Sequence, residues 1–138
     1  MKKITTTLFL FFSILLFAQN EKHDYSKLKI LDDVKLSIEG VDLLGNTTQK
    51  NLEALKELKL TGLDAENFKI IYYHFKTNYK HSLTKDEFTD GIITEAMTKF
   101  FHDLESNCKI TFEEIVIKQT ETGKLFKITP LTLVIKVD

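Results

Sequence analysis

Histidine is the residue type in this chain best suited to metal binding or proton transfer, and the chain contains 4 of them. None stands in an H-E-x-x-H or H-x-H arrangement, the spacings that bring two rings to one metal ion. His74 and His81 flank the end of a predicted strand and could share a metal, but the sequence indicates no third ligand. We therefore predict no metal site; the four positions are His23, His74, His81 and His102.

Acidic side chains cluster in two places. Asp86-Glu87 and Asp90 form an acidic loop, and clustered oxygen ligands of this kind suit Ca²⁺. The spacing misses the D-x-D-x-D-G calcium loop, so we predict a solvated turn. Glu113 and Glu114 are adjacent, and on a strand they face opposite sides unless a bulge redirects one of them. Because the chain also lacks a G-x-S-x-G motif and a glycine-rich phosphate loop, we predict no catalytic residues and no cofactor.

Three tyrosines are the remaining candidates for function, because tyrosine combines a flat apolar ring with a polar hydroxyl and is favoured at protein interfaces. Tyr72, Tyr73 and Tyr79 lie in one predicted strand, and we take them as a candidate interaction surface. Some of these rings must belong to the core if the strand is central. We expect one of the three to be accessible to a partner.

The segment that carries the tyrosines is the most strand-like part of the chain. Residues 68–79 are dense in β-branched and aromatic side chains, which suit a pleated and half-buried surface. Both faces of this strand are largely apolar, so we predict a central strand covered on both sides. One face would contain Phe68, Ile70, Tyr72 and His74, and the other Ile71, Tyr73, Phe75 and Tyr79.

Helical periodicity appears twice. The apolar residues from Ile93 to Leu104 recur at helical spacing, which predicts an amphipathic helix over about 94–105 with Thr94 as its N-cap. Leucines at helical spacing predict a weaker helix over about 47–59, which Gly62 would end.

The C-terminal part of the chain alternates as β-strands do. Apolar residues have one parity over 110–112 and the other parity over 115–117, a switch that predicts a bulge at Glu113-Glu114. Thr122-Gly123 predicts a turn, and residues 131–137 then alternate again. The elements together predict an α+β fold: a sandwich-like antiparallel sheet with one clear helix and one weaker helix.

The N-terminus has the order of a secretory signal, with positive charge, an apolar run and then a small residue. Two lysines precede the run Leu8–Phe17, and Ala18 offers a cleavage site. The run is shorter than the roughly 20 residues that span a bilayer, which favours a signal over an uncleaved anchor. We predict a periplasmic or secreted protein with a signal peptide over 1–18, a mobile lead over 19–26 and one domain over 27–138.

Charge and cysteine content argue against other classes of protein. The chain carries 19 basic residues, all of them lysine, and 20 acidic residues, for a net charge of -1. Nucleic-acid surfaces rely on arginine, whose planar fork binds phosphates and bases, so we predict no nucleic-acid partner. Cys108 is the only cysteine, and we expect it to be buried and inert.

The C-terminal segments, read together, resemble a known family. Asn67–Phe75 is an aromatic strand, Gly91–Met97 (GIITEAM) opens a helix, and Ile110–Lys118 (ITFEEIVIK) leads to the turn at Thr122–Lys124 and a closing strand at Pro130–Ile135. This order resembles the C-terminal periplasmic domain of the gliding-motility protein GldM of Bacteroidetes, over roughly residues 52–137.

The resemblance implies contact with other proteins in the periplasm, near the gliding or type IX secretion machinery, and it transfers no catalytic residue. The long transmembrane helix and the preceding domains of that family have no counterpart in this sequence. The resemblance therefore implies a free-standing copy of the distal, partner-contacting module.

Two functions remain open. A periplasmic interaction module predicts an exposed strand edge or an aromatic patch. A small secreted ligand-binding or hydrolytic domain predicts instead a pocket where His74, Tyr73 or the acidic loop converge.

Overall fold

The computed structural model of the chain describes residues 24–78, the backbone of 86–88, and residues 90–137. Within these ranges strands dominate and two short helices accompany them, so the predicted α+β class is confirmed. The strands are β1 (Val34–Ser37), β2 (Asn46–Thr48), β3 (Lys59–Gly62), β4 (Phe68–Thr77), β5 (Asp86–Phe88), β6 (Lys109–Gln119), β7 (Leu125–Lys127) and β8 (Leu131–Lys136). The helices are α1 (Gln49–Glu53) and α2 (Glu95–His102), and a 3₁₀ turn spans Ala65–Asn67.

The main sheet is built around β6. Its order is β2-β8-β6-β4-β5, and β7 pairs with β6 beyond the end of β8. All pairs are antiparallel except β2 with β8, which is parallel. β1 and β3 form a separate antiparallel pair. The predicted turn at Thr122-Gly123 is confirmed: it joins β6 to β7, and Gly123 adopts a φ of 71° that suits glycine.

The core lies on one face of the main sheet, against the β1–β3 pair and both helices. Phe75 is at its centre, with Phe101 of α2 at 6.0 Å and Phe112 of β6 at 5.5 Å between ring centroids. Phe101 and Phe112 have no exposed surface. These edge-to-face contacts fix α2 against the middle of the sheet.

The clear helix forms where the sequence predicts it. The Thr94 hydroxyl accepts a hydrogen bond from the N–H of Met97, which confirms the predicted N-cap. The helix ends at His102 rather than near residue 105, although Leu104 still packs in the core. In the part of the chain that the structure describes, no helix is long and apolar enough to cross a bilayer.

The weaker helix predicted over about 47–59 is wrong in extent: α1 spans only Gln49–Glu53. After α1 the backbone pairs with the segment before α2 instead of continuing as a helix. The N–H of Leu58 donates to the Gly91 carbonyl at 2.7 Å, and that of Ile93 donates to the Lys56 carbonyl at 2.9 Å. Leucine spacing fits both conformations, so the pairing decides between them.

The prediction that Gly62 ends a helix is wrong, because Gly62 lies in β3. Its φ is 114°, and a Cβ there would lie 1.8 Å from the carbonyl oxygen of Asp33. The close approach of β1 to β3 therefore requires glycine at this position.

Two bulges follow each other along the ladder between β4 and β6, one in each strand. The bulge predicted at Glu113-Glu114 is confirmed, because Glu114 has a φ of 49° and the ladder shifts there. A second bulge lies near Ile71, between the pairs at Ile70 and Tyr72. The predicted alternation of β4 is therefore wrong at Phe68 and Ile70, which pack on the core side with Tyr73 and Phe75.

Candidate functional site

The main sheet has a second face that turns away from the core, which we call the outer face. Cross-strand neighbours share a face of a sheet, so the ladder defines its members. The prediction that β4 is a central strand is confirmed, because β4 lies between β6 and β5. The prediction that it is covered on both sides is wrong, because its outer side chains include exposed lysines. The outer face consists of Lys69, Tyr72, His74 and Lys76 of β4, Lys109, Thr111, Glu113, Val116 and Lys118 of β6, Leu125 and Lys127 of β7, and Thr132, Val134 and Lys136 of β8, with Glu114 at the bulge.

A pair of tyrosines covers the middle of the outer face. The rings of Tyr25 and Tyr72 are tilted against each other with centroids 4.9 Å apart, and each is half-buried. Tyr25 is held by a turn in which its carbonyl accepts from the N–H of Leu28 at 3.2 Å. Ile30, which pairs with Lys127 at the rim, leaves 53% of its surface exposed. The outer face thus presents aromatic and aliphatic side chains on a surface that is otherwise rich in lysine.

A polar chain runs beneath the tyrosine pair. The Tyr72 hydroxyl and Nε2 of His74 form a hydrogen bond. Nδ1 of His74 lies 3.0 Å from Oε2 of Glu114. The bulge makes the contact possible, because the left-handed conformation of Glu114 turns its side chain toward His74.

A phenol, an imidazole and a carboxylate in this order could move a proton, which is the chemistry of a catalytic relay. The burial of His74 within this group of three side chains argues for a structural role. His74 is only 3% exposed, although the Glu114 side chain is 53% exposed. Two open grooves of about 740 and 780 Å³ occur among the described residues, and neither is lined by any member of this chain. The hydrogen bond with the buried His74 ring instead fixes the hydroxyl of Tyr72 above it.

The three tyrosines proposed as an interaction surface have different positions. Tyr72 is on the outer face, against Tyr25 and His74. Tyr73 is fully buried on the core side, where its hydroxyl contacts Sδ of Met97 at 3.7 Å, so it cannot form part of a surface. Burial, together with the negative charge of Asp90, raises the pKa of the Tyr73 phenol above its ordinary value. Tyr79 lies outside the described residues.

The other residues with chemical potential remain apart. His102 contacts Glu53 at 3.0 Å, which links α2 to α1 on the surface. Asp90 accepts a hydrogen bond from the N–H of Ile92 at 2.9 Å, as a turn residue does. No three histidine, cysteine, aspartate or glutamate side chains in the described ranges come close enough to hold a metal ion. His23 and His81 lie outside those ranges, and the side chains of Asp86 and Glu87 are likewise not described.

A second exposed apolar feature is the turn before β2. Leu43 and Leu44 are 105% and 86% exposed. The Asp42 carboxylate holds this turn by accepting from the N–H groups of Leu44 and Asn46, both at 2.8 Å. Hydrogen bonds from the side chain and backbone of Asn46 lower the pKa of Asp42. The two leucines are therefore displayed on a well-defined turn.

Sequence reasoning missed the lysine-rich outer face and the role of Tyr25. Strict alternation puts residues 69 and 76 on opposite faces of β4, so both lysines share the outer face only because of the bulge at Ile71. Comparison with known proteins finds no family model that matches the chain and no curated protein with significant similarity. The outer face therefore has to be interpreted from its own geometry and chemistry.

Proposed function

We propose that this chain is a protein–protein interaction module exported to the cell envelope, and that it acts by binding rather than by catalysis. The observation that carries the proposal is the outer face, which presents both a half-buried tyrosine pair and the exposed side chain of Ile30. Tyrosine is enriched among the residues that dominate binding at the centres of protein interfaces.

The rigidity of the tyrosine pair supports this role. Tyr72 is held from below by His74, and His74 is held by Glu114. A ring that is already ordered loses little conformational entropy when a partner covers it. Binding energy is then available from the contact itself rather than spent on ordering the side chain.

The setting of the proposed function comes from the sequence. The signal-like N-terminus favours the periplasm or the cell exterior. The resemblance to the C-terminal domain of GldM suggests a partner in the gliding or type IX secretion machinery. The strand segments of that resemblance overlap β4, β6 and β8, and its helix-opening segment overlaps α2, which is compatible with it.

Site-specific photo-crosslinking in the native host tests the proposal with the full chain. A photoreactive amino acid replaces Ile30 on the outer face or, as a matched control, Ile92, which is also isoleucine and is 60% exposed away from this face. We expect a discrete crosslinked product from position 30 and a much weaker one from position 92. Equal or absent crosslinking at the two positions would refute an interaction surface on the outer face.

One observation favours a second function, a hydrolytic domain. The chain formed by Tyr72, His74 and Glu114 has the order of groups that activates a hydroxyl nucleophile. An activated-ester substrate tests it, with Tyr72→Phe and His74→Gln as variants. Hydrolysis that exceeds background and disappears in both variants would establish this function in place of the first.

A further inference from the structure

The charges of the outer face are arranged in bands along β6. Glu113 and Glu114 lie in the middle of the face, at the bulge. Lysines lie on both sides of them, so the face as a whole is positive although the chain has a net charge of -1. The lysines are Lys69, Lys118 and Lys127 toward the β6–β7 turn, and Lys76, Lys109 and Lys136 toward the other end.

Two of these lysines are placed directly against each other. Lys69 of β4 and Lys118 of β6 are cross-strand partners, and residues so placed have Cβ atoms roughly 4.5–5.5 Å apart. Lys127 lies diagonally adjacent to Lys118 on β7. No carboxylate of the described residues lies within 4 Å of any of the three amino groups. Asp24 is an acidic neighbour of Lys127: hydrogen bonds from Ser26 and the charge of Lys127 lower the pKa of its carboxyl. Like charges in this position repel, and a carboxylate supplied from outside would relieve the repulsion.

The surroundings of the lysines favour a protein as the source of that carboxylate. Ile30 and Leu125 lie among the lysines, and both would contact apolar side chains of a partner. The central glutamates repel a uniformly anionic polymer or membrane, whereas a protein can place a cation opposite them.

We propose that the outer face binds an acidic segment of a partner protein, whose carboxylates lie over Lys69, Lys118 and Lys127 and whose apolar side chains contact Ile30 and Leu125. This inference rests on the proposed function and specifies the chemistry of its partner. Salt should weaken the complex, because dissolved ions screen the attraction between exposed charges.

The test combines the crosslink at position 30 with charge reversal. The full chain carries Lys69→Glu and Lys118→Glu together, and a matched control carries Lys35→Glu and Lys50→Glu, two exposed lysines of β1 and α1. We expect the outer-face variant to lose about tenfold in crosslink yield, equivalent to about 1.4 kcal/mol, while the control keeps its yield. Thermal unfolding verifies that both variants fold.

Purified protein provides the second arm. The probes are a synthetic peptide that alternates glutamate with leucine, heparin, and vesicles that contain phosphatidylglycerol. We expect salt-sensitive binding of the peptide that is lost in the outer-face variant, and weaker binding of heparin and vesicles. Stronger binding of heparin or vesicles than of the peptide would overturn the assignment of a protein partner.

The outcomes separate the two proposals. A crosslink at position 30 that persists in the outer-face variant leaves an interaction module in place and refutes the acidic partner. A chain that gives no crosslink from position 30 in its native form refutes the interaction module itself. Loss of the crosslink in both the outer-face variant and the control also counts against the acidic partner, because the effect would then not depend on this face.

Discussion

Replacing Lys69 by glutamate should stabilise the folded chain, even though it removes a residue proposed to bind a partner. Lys69 and Lys118 are cross-strand partners on β4 and β6. Glutamate at either position turns a repulsive pair into an attractive one. Lysine and glutamate have similarly low strand propensity, so the change in charge dominates the expected effect.

The magnitude follows from the placement of the pair. Cross-strand charge pairs contribute roughly 0.2–1 kcal/mol, and like charges directly opposite destabilise by a similar amount. The Lys69 side chain is exposed, so water reduces the effect, and we expect Lys69→Glu to add about 0.5–1 kcal/mol to the free energy of unfolding. For a domain of this size, that corresponds to a rise of about 2–4 °C in melting temperature.

Thermal unfolding at low salt measures the effect, and a double-mutant cycle isolates it. Lys118→Glu alone should stabilise by a similar amount, whereas the double variant restores a like-charged pair and should melt near the native temperature. The gain should shrink in about 1 M salt, where charges are screened beyond about 3 Å. A double variant as stable as either single variant would show that the two side chains do not interact as the ladder implies.

Three further predictions concern the turn before β2 and the core. Because the pKa of Asp42 is lowered, its contribution to stability is present above the unfolded-state pKa of about 3.9 and is lost as pH falls through the folded value; Asp42→Ala should therefore reduce stability at neutral pH and flatten the acid limb of a denaturant-unfolding pH series. Because the pKa of Tyr73 is raised, its phenol should stay protonated in the folded chain while the same phenol in the unfolded chain ionises above about pH 10. A rise to alkaline pH should therefore reduce the stability of the native chain more than it reduces the stability of the Tyr73→Phe variant, as measured by tyrosine absorbance and circular dichroism. Phe112→Ala should cost about 3–5 kcal/mol in urea unfolding, because the buried ring contacts Phe75 and leaves a cavity, and a loss below about 1 kcal/mol would contradict its central place in the core.

The spacing of apolar residues correctly predicted those elements whose pattern is compatible with only one type of secondary structure. The stripe from Ile93 to Leu104 fits a helix and does not fit a strand, and Thr94 caps it as expected. The leucines after residue 52 fit both, and their conformation is decided by residues 91–93, which lie far away in the sequence. The parallel pairing of β2 with β8 depends on the same kind of distant contact, so local pattern does not indicate it.

The candidate site was less predictable than the fold because it depends on a bulge in β4. Strict alternation places Tyr72 with Ile70, whereas the structure places Ile70 in the core and Tyr72 on the outer face. The bulge at Glu114 was predictable, because apolar parity changes there along β6. Between Lys69 and Lys76 of β4 every residue is apolar or aromatic, so the sequence does not indicate where along the strand the parity changes.

The two bulges also govern how this sheet responds to changes in chain length. From the pair of Ile70 with Ile117 to the pair of Phe75 with Phe112, β4 and β6 advance by the same number of residues, and each includes one residue that breaks alternation. Removing Ile71 or Glu114 alone makes the two strands unequal in length between these pairs. The side chains on one side of the deletion then turn to the opposite face of the sheet. Removing both yields an uninterrupted ladder that keeps every core residue in place, so these two deletions should be damaging singly and mutually compensating in combination.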